Sequence, residues 1–116
     1  HLTFGNHYNQ VLPNVPNSLT HLTFAYMYNK VLPNLPNSLT HLTFGNHYNQ
    51  VLPNLPNSLT HLTFGQDYNK ELQYELCNLK EVYLNKFNLP LIFSKNKIIK
   101  SIKFYDINGT ILYIMN

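Results

Sequence analysis

One apolar alternation returns along the chain at a fixed interval. Leu2 and Phe4 are followed by Leu22 and Phe24, Leu42 and Phe44, and Leu62 and Phe64, each pair 20 residues after the last. Such periodicity marks a stacked repeat array. Within a unit, Leu22-Thr23-Phe24 alternates with a period of two, which predicts a short strand with Leu22 and Phe24 on one face and His21 and Thr23 on the other. Gly5, Gly45 and Gly65 (Ala25 in the second unit) then offer a turn, and Tyr-Asn and a Pro-x-x-Pro stretch such as Pro33-Asn34-Leu35-Pro36 follow. Two prolines per unit exclude a helix there and predict an extended, polyproline-like return. The fourth unit opens as HLTFGQDYNK but loses its prolines, which admits one helical turn over Glu71–Leu76. A fifth, worn unit places Val82 and Leu84 in the Leu and Phe roles, and a sixth begins at Ser101 with Ile102 and Phe104 in those roles.

A strand this short buries little alone. Parallel stacking at about 4.8 Å per rung aligns Leu22 and Leu42, Phe24 and Phe44, and Tyr28 and Tyr48 into continuous apolar ladders, joined by Leu12, Leu32, Leu52 and Leu72. Asn29 and Asn49, directly after the tyrosines, are read as a ladder that satisfies backbone groups left over by the turn. At the C-terminal end, Asn108-Gly109 between Ile-rich segments is a type I′ hairpin signal, and a hairpin over 101–116 would shield the open end of the stack. The expected fold is mainly β: a leucine-rich-repeat-like solenoid of 20-residue repeats with short parallel strands, extended Pro-rich returns and a C-terminal capping hairpin. It forms one domain, with four units over 1–20, 21–40, 41–60 and 61–80, then degenerate repeats and the cap over 81–116.

The unit resembles the FNIP repeat. The residues that carry the resemblance are Leu42-Thr43-Phe44-Gly45, Tyr48-Asn49-Gln50 and Leu55-Pro56-Asn57-Ser58-Leu59, with Tyr where Phe usually precedes the Asn. The resemblance covers residues 1–70 strongly and 71–116 weakly. It implies a leucine-rich-repeat-like fold and a setting in amoebae or their giant viruses, in the cytoplasm (of the host, if viral). It also implies an F-box upstream, through which a ubiquitin-ligase scaffold would be reached while the repeats choose the substrate. No F-box lies in these residues, so that contact belongs to a segment outside this chain.

Charge narrows the choice of partner. Charged residues are only 11% of the chain, arginine is absent and the net charge is +3, yet residues 1–60 carry only Lys30 and no carboxylate. A phosphate-tracking groove needs Lys or Arg along one face, so nucleic acid is not expected. No apolar run approaches the roughly 20 residues of a membrane span. The lone Cys77 cannot form an internal disulfide, fits a reducing compartment and reads as packed or inert. The chain opens at His1 with a repeat already under way, as expected of a piece of a longer protein.

No general base, phosphate loop or carboxylate pair is legible, so no enzyme and no cofactor are expected. The expected activity is binding of a protein partner by the outward strand rows, His1, His21, His41, His61 and Thr3, Thr23, Thr43, Thr63; the alternative is that these residues simply solvate a sheet. A linear row of imidazoles without a thiolate or carboxylate is not a tetrahedral zinc site, and the interleaved histidines break the uniform threonine lattice an ice-binding face would need. Tyr26 and Met27 stand where units one and three have Asn-His. They read either as an interface anchor or as drift in a duplicated unit. Lys95, Lys97, Lys100 and Lys103, interleaved with Ile98, Ile99 and Ile102, read as the wet face of the last repeat, the alternative being a contact with an acidic partner. The Asn108-Gly109-Thr110 sequon would go unused in a cytosolic chain. Near-identity of units one and three favours the other function class, a structural spacer.

Overall fold

A computed structural model of the chain describes residues 1–72, 78–93 and 102–112. Gln73–Leu76 of the expected helical turn, Cys77, and the lysine run at Lys95, Lys97 and Lys100 with Ile98 and Ile99 lie outside the described residues. The strands are β1 (Leu2–Thr3), β2 (His21–Thr23), β3 (His41–Thr43), β4 (His61–Thr63), β5 (Glu81–Leu84), β6 (Lys103–Asp106) and β7 (Ile111–Leu112). They form one seven-stranded sheet in sequence order. β1 to β6 run parallel, and β7 closes the sheet antiparallel to β6. The chain is thus a β-solenoid with little helix.

The register explains the core. Leu2, Leu22, Leu42, Leu62 and Val82 stand opposite one another across the first five strands. Identical side chains therefore stack, and the period of two sends the Leu and Phe of each strand inward together. Leu22, Phe24, Leu42, Phe44, Leu62 and Phe64 are all buried. Phe4, Phe24, Phe44 and Phe64 form a file of near-parallel rings with centroids 5.3, 5.8 and 6.0 Å apart. Tyr8, Tyr28, Tyr48 and Tyr68 form a second file at 5.8, 6.0 and 6.1 Å. Burying each such side chain contributes roughly 1.5–3 kcal/mol.

Between strands the backbone is extended, and its polar groups are met by the neighbouring rung. Asn9 Oδ1 accepts from the Asn29 N–H at 2.8 Å, Asn29 from Asn49 at 2.9 Å, and Asn49 from Asn69 at 3.1 Å. Ser38 and Ser58 hydroxyls donate to the Leu19 and Leu39 carbonyls, both at 2.6 Å. Asn29 also accepts from Gln50 Nε2 at 3.1 Å. Asn29→Ala removes the acceptor of a half-buried N–H, for a loss of about 1–2 kcal/mol. Urea unfolding checks this, and Asn9→Ala at the open end of the stack should cost less.

The hydroxyls of Tyr48 and Tyr68 are buried without a hydrogen-bond partner among the described residues. The same burial raises both phenols well above their ordinary pKa. A buried hydroxyl left unpaired costs about 1–3 kcal/mol. Tyr48→Phe is therefore expected to leave stability unchanged or raise it by about 1 kcal/mol, read as an equal or higher Tm.

Three features of the C-terminal part differ from expectation. The sixth unit is shifted by two residues: Phe104 pairs with Val82, and Asp106 with Leu84. Phe104 thus takes the Leu role, Asp106 stands at the Phe position, and Ile102 precedes the strand, which begins at Lys103 rather than near residue 101. The cause lies in unit five, whose return contains a 3₁₀ turn (Lys86–Asn88) and a short helix α1 (Leu89–Ile92) with Pro90 in its first turn. Helical backbone rises about 1.5 Å per residue against about 3.3 Å when extended, so the same return path consumes more chain. The closing hairpin is present, but its turn is not type I′. That turn needs positive φ at both central residues, and among the described residues only Gly109 has it, at 90°. Gly109 N–H donates to the Asp106 carbonyl and Asp106 N–H to that of Thr110, both at 2.8 Å. Asn108 Oδ1 accepts from the Thr110 N–H at 3.0 Å, holding Asn108 in an ordinary conformation, and glycine one place later makes the left-handed step.

Candidate functional site

The strand face away from the core carries two rows. One reads His1, His21, His41, His61, Glu81, Lys103, and the other Thr3, Thr23, Thr43, Thr63, Tyr83, Tyr105, each residue in register with the next where strands pair. His1 and Thr3 are exposed, and the other His and Thr residues of the rows are half-buried by their neighbours. The imidazoles of His21, His41 and His61 stack with centroids 4.1 and 4.2 Å apart, and His1 leans on His21 at 3.9 Å with its ring tilted by 58°.

Each ring is fixed by the residue before it. Nδ1 of His21, His41 and His61 lies 2.9, 2.8 and 2.8 Å from the hydroxyl oxygen of Thr20, Thr40 and Thr60. The Thr40 and Thr60 hydroxyls also lie within hydrogen-bond reach of the carbonyls of Thr20 and Thr40, at 3.1 and 3.2 Å. With Nδ1 of His41 and His61 held against these hydroxyls, Nε2 is the ring nitrogen that each presents outward. At the end of the column, His61 Nε2 lies 3.4 Å from the Glu81 carboxylate. For His41, burial first, then His61 and His21, lower the pKa below the usual imidazole value, while Glu81 acts the other way.

Tyr26 and Met27 lie apart from these rows, exposed on the turn that follows β2. Tyr26 packs edge-on against His47 at 4.6 Å, and His47 Nδ1 is 3.4 Å from the Asp67 carboxylate. Positions 26, 47 and 67 thus meet on one rim. The sequence reading did not single out Tyr83 and Tyr105, which stack at 4.7 Å on the strand face. Their signal was the Thr column of the repeat, which becomes Tyr in units five and six, but it emerges only once Phe104 is aligned with Val82. Also unanticipated are shallow clefts between successive Pro-x-x-Pro corners, lined by Asn34, Asn37, Asn54 and Asn57. Among the described residues, no three His, Cys, Asp or Glu side chains converge as a metal site, and no helix is long and apolar enough to cross a membrane.

Both the ladders and the outward rows recur with the unit, and the family model built on that unit matches at residues 8–47, 28–65 and 48–74, more than half of the chain. This chain belongs to the FNIP repeat family. As an FNIP repeat protein it also resembles a solved structure, CroV588, described as a novel circular leucine-rich-repeat protein. The two are 36% identical with a TM-score of 0.64, and the match covers 91% of this chain and 20% of that one. The FNIP chain thus spans about one fifth of that relative's length. No curated protein gives a significant match.

Proposed function

We propose that this FNIP solenoid is a protein-recognition module of a cytoplasmic protein, with the His and Thr rows of the strand face as its binding surface. The observation that supports this most is the arrangement of that face. Side chains from six parallel strands stand in two unbroken polar rows, held in register by a core that would pack equally well with other residues outside. Rigid, repeated presentation of this kind is how solenoids build extended binding surfaces. As an FNIP module it would serve as the substrate-recognition arm of an F-box ubiquitin-ligase adaptor, the F-box being supplied by a segment outside this chain. A non-catalytic role accords with a repeat scaffold of this kind.

The second reading, a spacer without a dedicated partner, is favoured by units one and three, which differ only at Val15 and Leu55. The two readings separate in an affinity capture from cytosol with the full-length protein and a Thr23→Glu/Thr43→Glu variant shown to be folded. A partner held by the parent and lost by the variant supports recognition by the strand face, and ubiquitin-ligase scaffold proteins in both captures support the adaptor. The same background in both captures supports the spacer.

A further inference from the structure

We propose that the histidine column is a proton-operated site for carboxylates, whose occupant is an acidic Glu-x-x-Glu stretch of a partner polypeptide. This rests on the recognition reading above and names the class of partner.

The column has the geometry of a device that cannot charge fully by itself. Neighbouring rings are 3.9 to 4.2 Å apart, and the Nδ1 edges of His21, His41 and His61 are tied to Thr20, Thr40 and Thr60. Two unit charges at 4 Å repel by about 1 kcal/mol in water and about 4 kcal/mol near a protein surface. A counter-charge laid along the outward Nε2 edges removes that repulsion, so proton uptake and carboxylate uptake are coupled.

The chain supplies this counter-charge at one end only. Residues 1–60 hold five histidines and Lys30 but no carboxylate. Among the described residues the two histidine–carboxylate pairs are His47–Asp67 and His61–Glu81, with both acids drawn from later units. Glu81 shows what a ligand would do. It occupies the next place in the histidine row, and its carboxylate meets His61 Nε2 at 3.4 Å. His21 and His41 present the same kind of edge with no acid beside it, and His1 extends the row with its ring tilted by 58°. The Thr23 and Thr43 hydroxyls alongside make no hydrogen bond among the described residues and can donate to a carboxylate. The other charged groups around the row are the His1 amino group, Lys80 just before β5, and Lys103 in register with Glu81. No Lys or Arg of units one to four stands in the row to hold a phosphate.

Spacing selects the form of the occupant. Repulsion favours charging alternate rings, such as His21 and His61, whose centroids are no more than about 8.3 Å apart. A polyproline II chain has three residues per turn and rises about 3.1 Å per residue, so its i and i+3 side chains share a face about 9.3 Å apart. Glu-x-x-Glu in that conformation comes within about 1 Å of that spacing, a difference its flexible side chains take up.

The sign of the pH effect follows. The folded pKa of His41 lies below its unfolded value of 6.5. The stability that goes with neutral His41 is therefore present above that value and is lost as pH falls through it toward the folded pKa. An acidic ligand favours the protonated rings, so its affinity rises as pH falls and disappears as pH rises through the bound-state pKa.

The test uses the full chain and a fluorescein-labelled peptide of three Glu-Pro-Pro repeats, with a Gln-Pro-Pro peptide as control. Anisotropy is measured at pH 5.5 and 7.5 at constant low ionic strength. The expected result is a Kd at least tenfold lower at pH 5.5 for the Glu peptide and none for the control. A folded His21→Gln/His41→Gln variant should lose the pH dependence, and the Glu peptide should raise the Tm at pH 5.5 but not at 7.5. Equal binding at both pH values, equal binding of the Gln peptide, or an unaffected variant overturns the proposal. Equally tight binding of an oligothymidylate of the same charge overturns the carboxylate assignment in favour of a general polyanion surface. If the Glu peptide fails at both pH values while Thr23→Glu/Thr43→Glu still abolishes capture of a partner, the column proposal falls and strand-face recognition stands.

Discussion

Replacing Phe44 by Ala is expected to destabilise the array by about 3–5 kcal/mol, the range for a core aromatic. Phe44 lies between Phe24 and Phe64 at 5.8 and 6.0 Å and against Tyr48 at 4.1 Å. Removing it leaves a void that the neighbours cannot close, because the rungs on either side are held by Phe24 N–H to the Thr43 carbonyl at 2.8 Å and Phe44 N–H to that of Thr63 at 2.9 Å. The position matters as much as the residue. In a nearly one-dimensional stack each unit is stabilised by its neighbours, so a defect in unit three also weakens the coupling of units one and two to the capped end. Urea unfolding followed by circular dichroism reads the loss. Phe4→Ala, at a half-buried ring on the open end, is the internal comparison and should cost less. Equal, small losses at both positions would show that the Phe file does not carry the core.

Gly65→Ala is the second large effect, and it acts through the backbone. A Cβ at Gly65 would overlap the Gly45 carbonyl and approach Asn46 Cα to 2.7 Å, so the atoms that must move are main chain. Parallel strands cannot separate at one point without straining their ladder hydrogen bonds, and overpacking of this kind costs about 1–3 kcal/mol. We expect the upper end, about 3 kcal/mol, with Tm as the readout. Ala25 occupies the corresponding place in unit two, where it faces unit one, the exposed end rung, which is free to adjust. An Ala at Gly65 has a rung on both sides. A Tm unchanged by Gly65→Ala would mean that the sheet opens at this turn without cost.

How much was legible follows from where each piece of information resides. The 20-residue recurrence of Leu, Phe, Tyr and Asn determined by itself that the chain stacks, which face of each strand is buried, and that Pro-x-x-Pro returns stay extended. These outcomes are local, since a period of two and two prolines leave a short segment no alternative, and repetition makes every rung obey the same rule. The outward rows at His21, His41, Thr23 and Thr43 were legible for the same reason. Where the repetition wears out, sequence reasoning lost its footing. Aligning Ile102 and Phe104 with the Leu and Phe roles was the natural reading, yet helical residues in unit five shift the register by two and give Phe104 the Leu role.

Only the tertiary structure decided the properties that depend on the distance between rungs. The sequence places a histidine at the head of each of the first four units, but stacking at about 4 Å, with Nδ1 tied to threonine and Glu81 closing the row, exists only once the strands are in register. The Tyr83–Tyr105 pair and the contacts among Tyr26, His47 and Asp67 likewise join residues about 20 positions apart. Periodicity in one dimension sets what a residue faces; the approach of one backbone to the next sets what it touches, and that is where charge, stacking and binding arise.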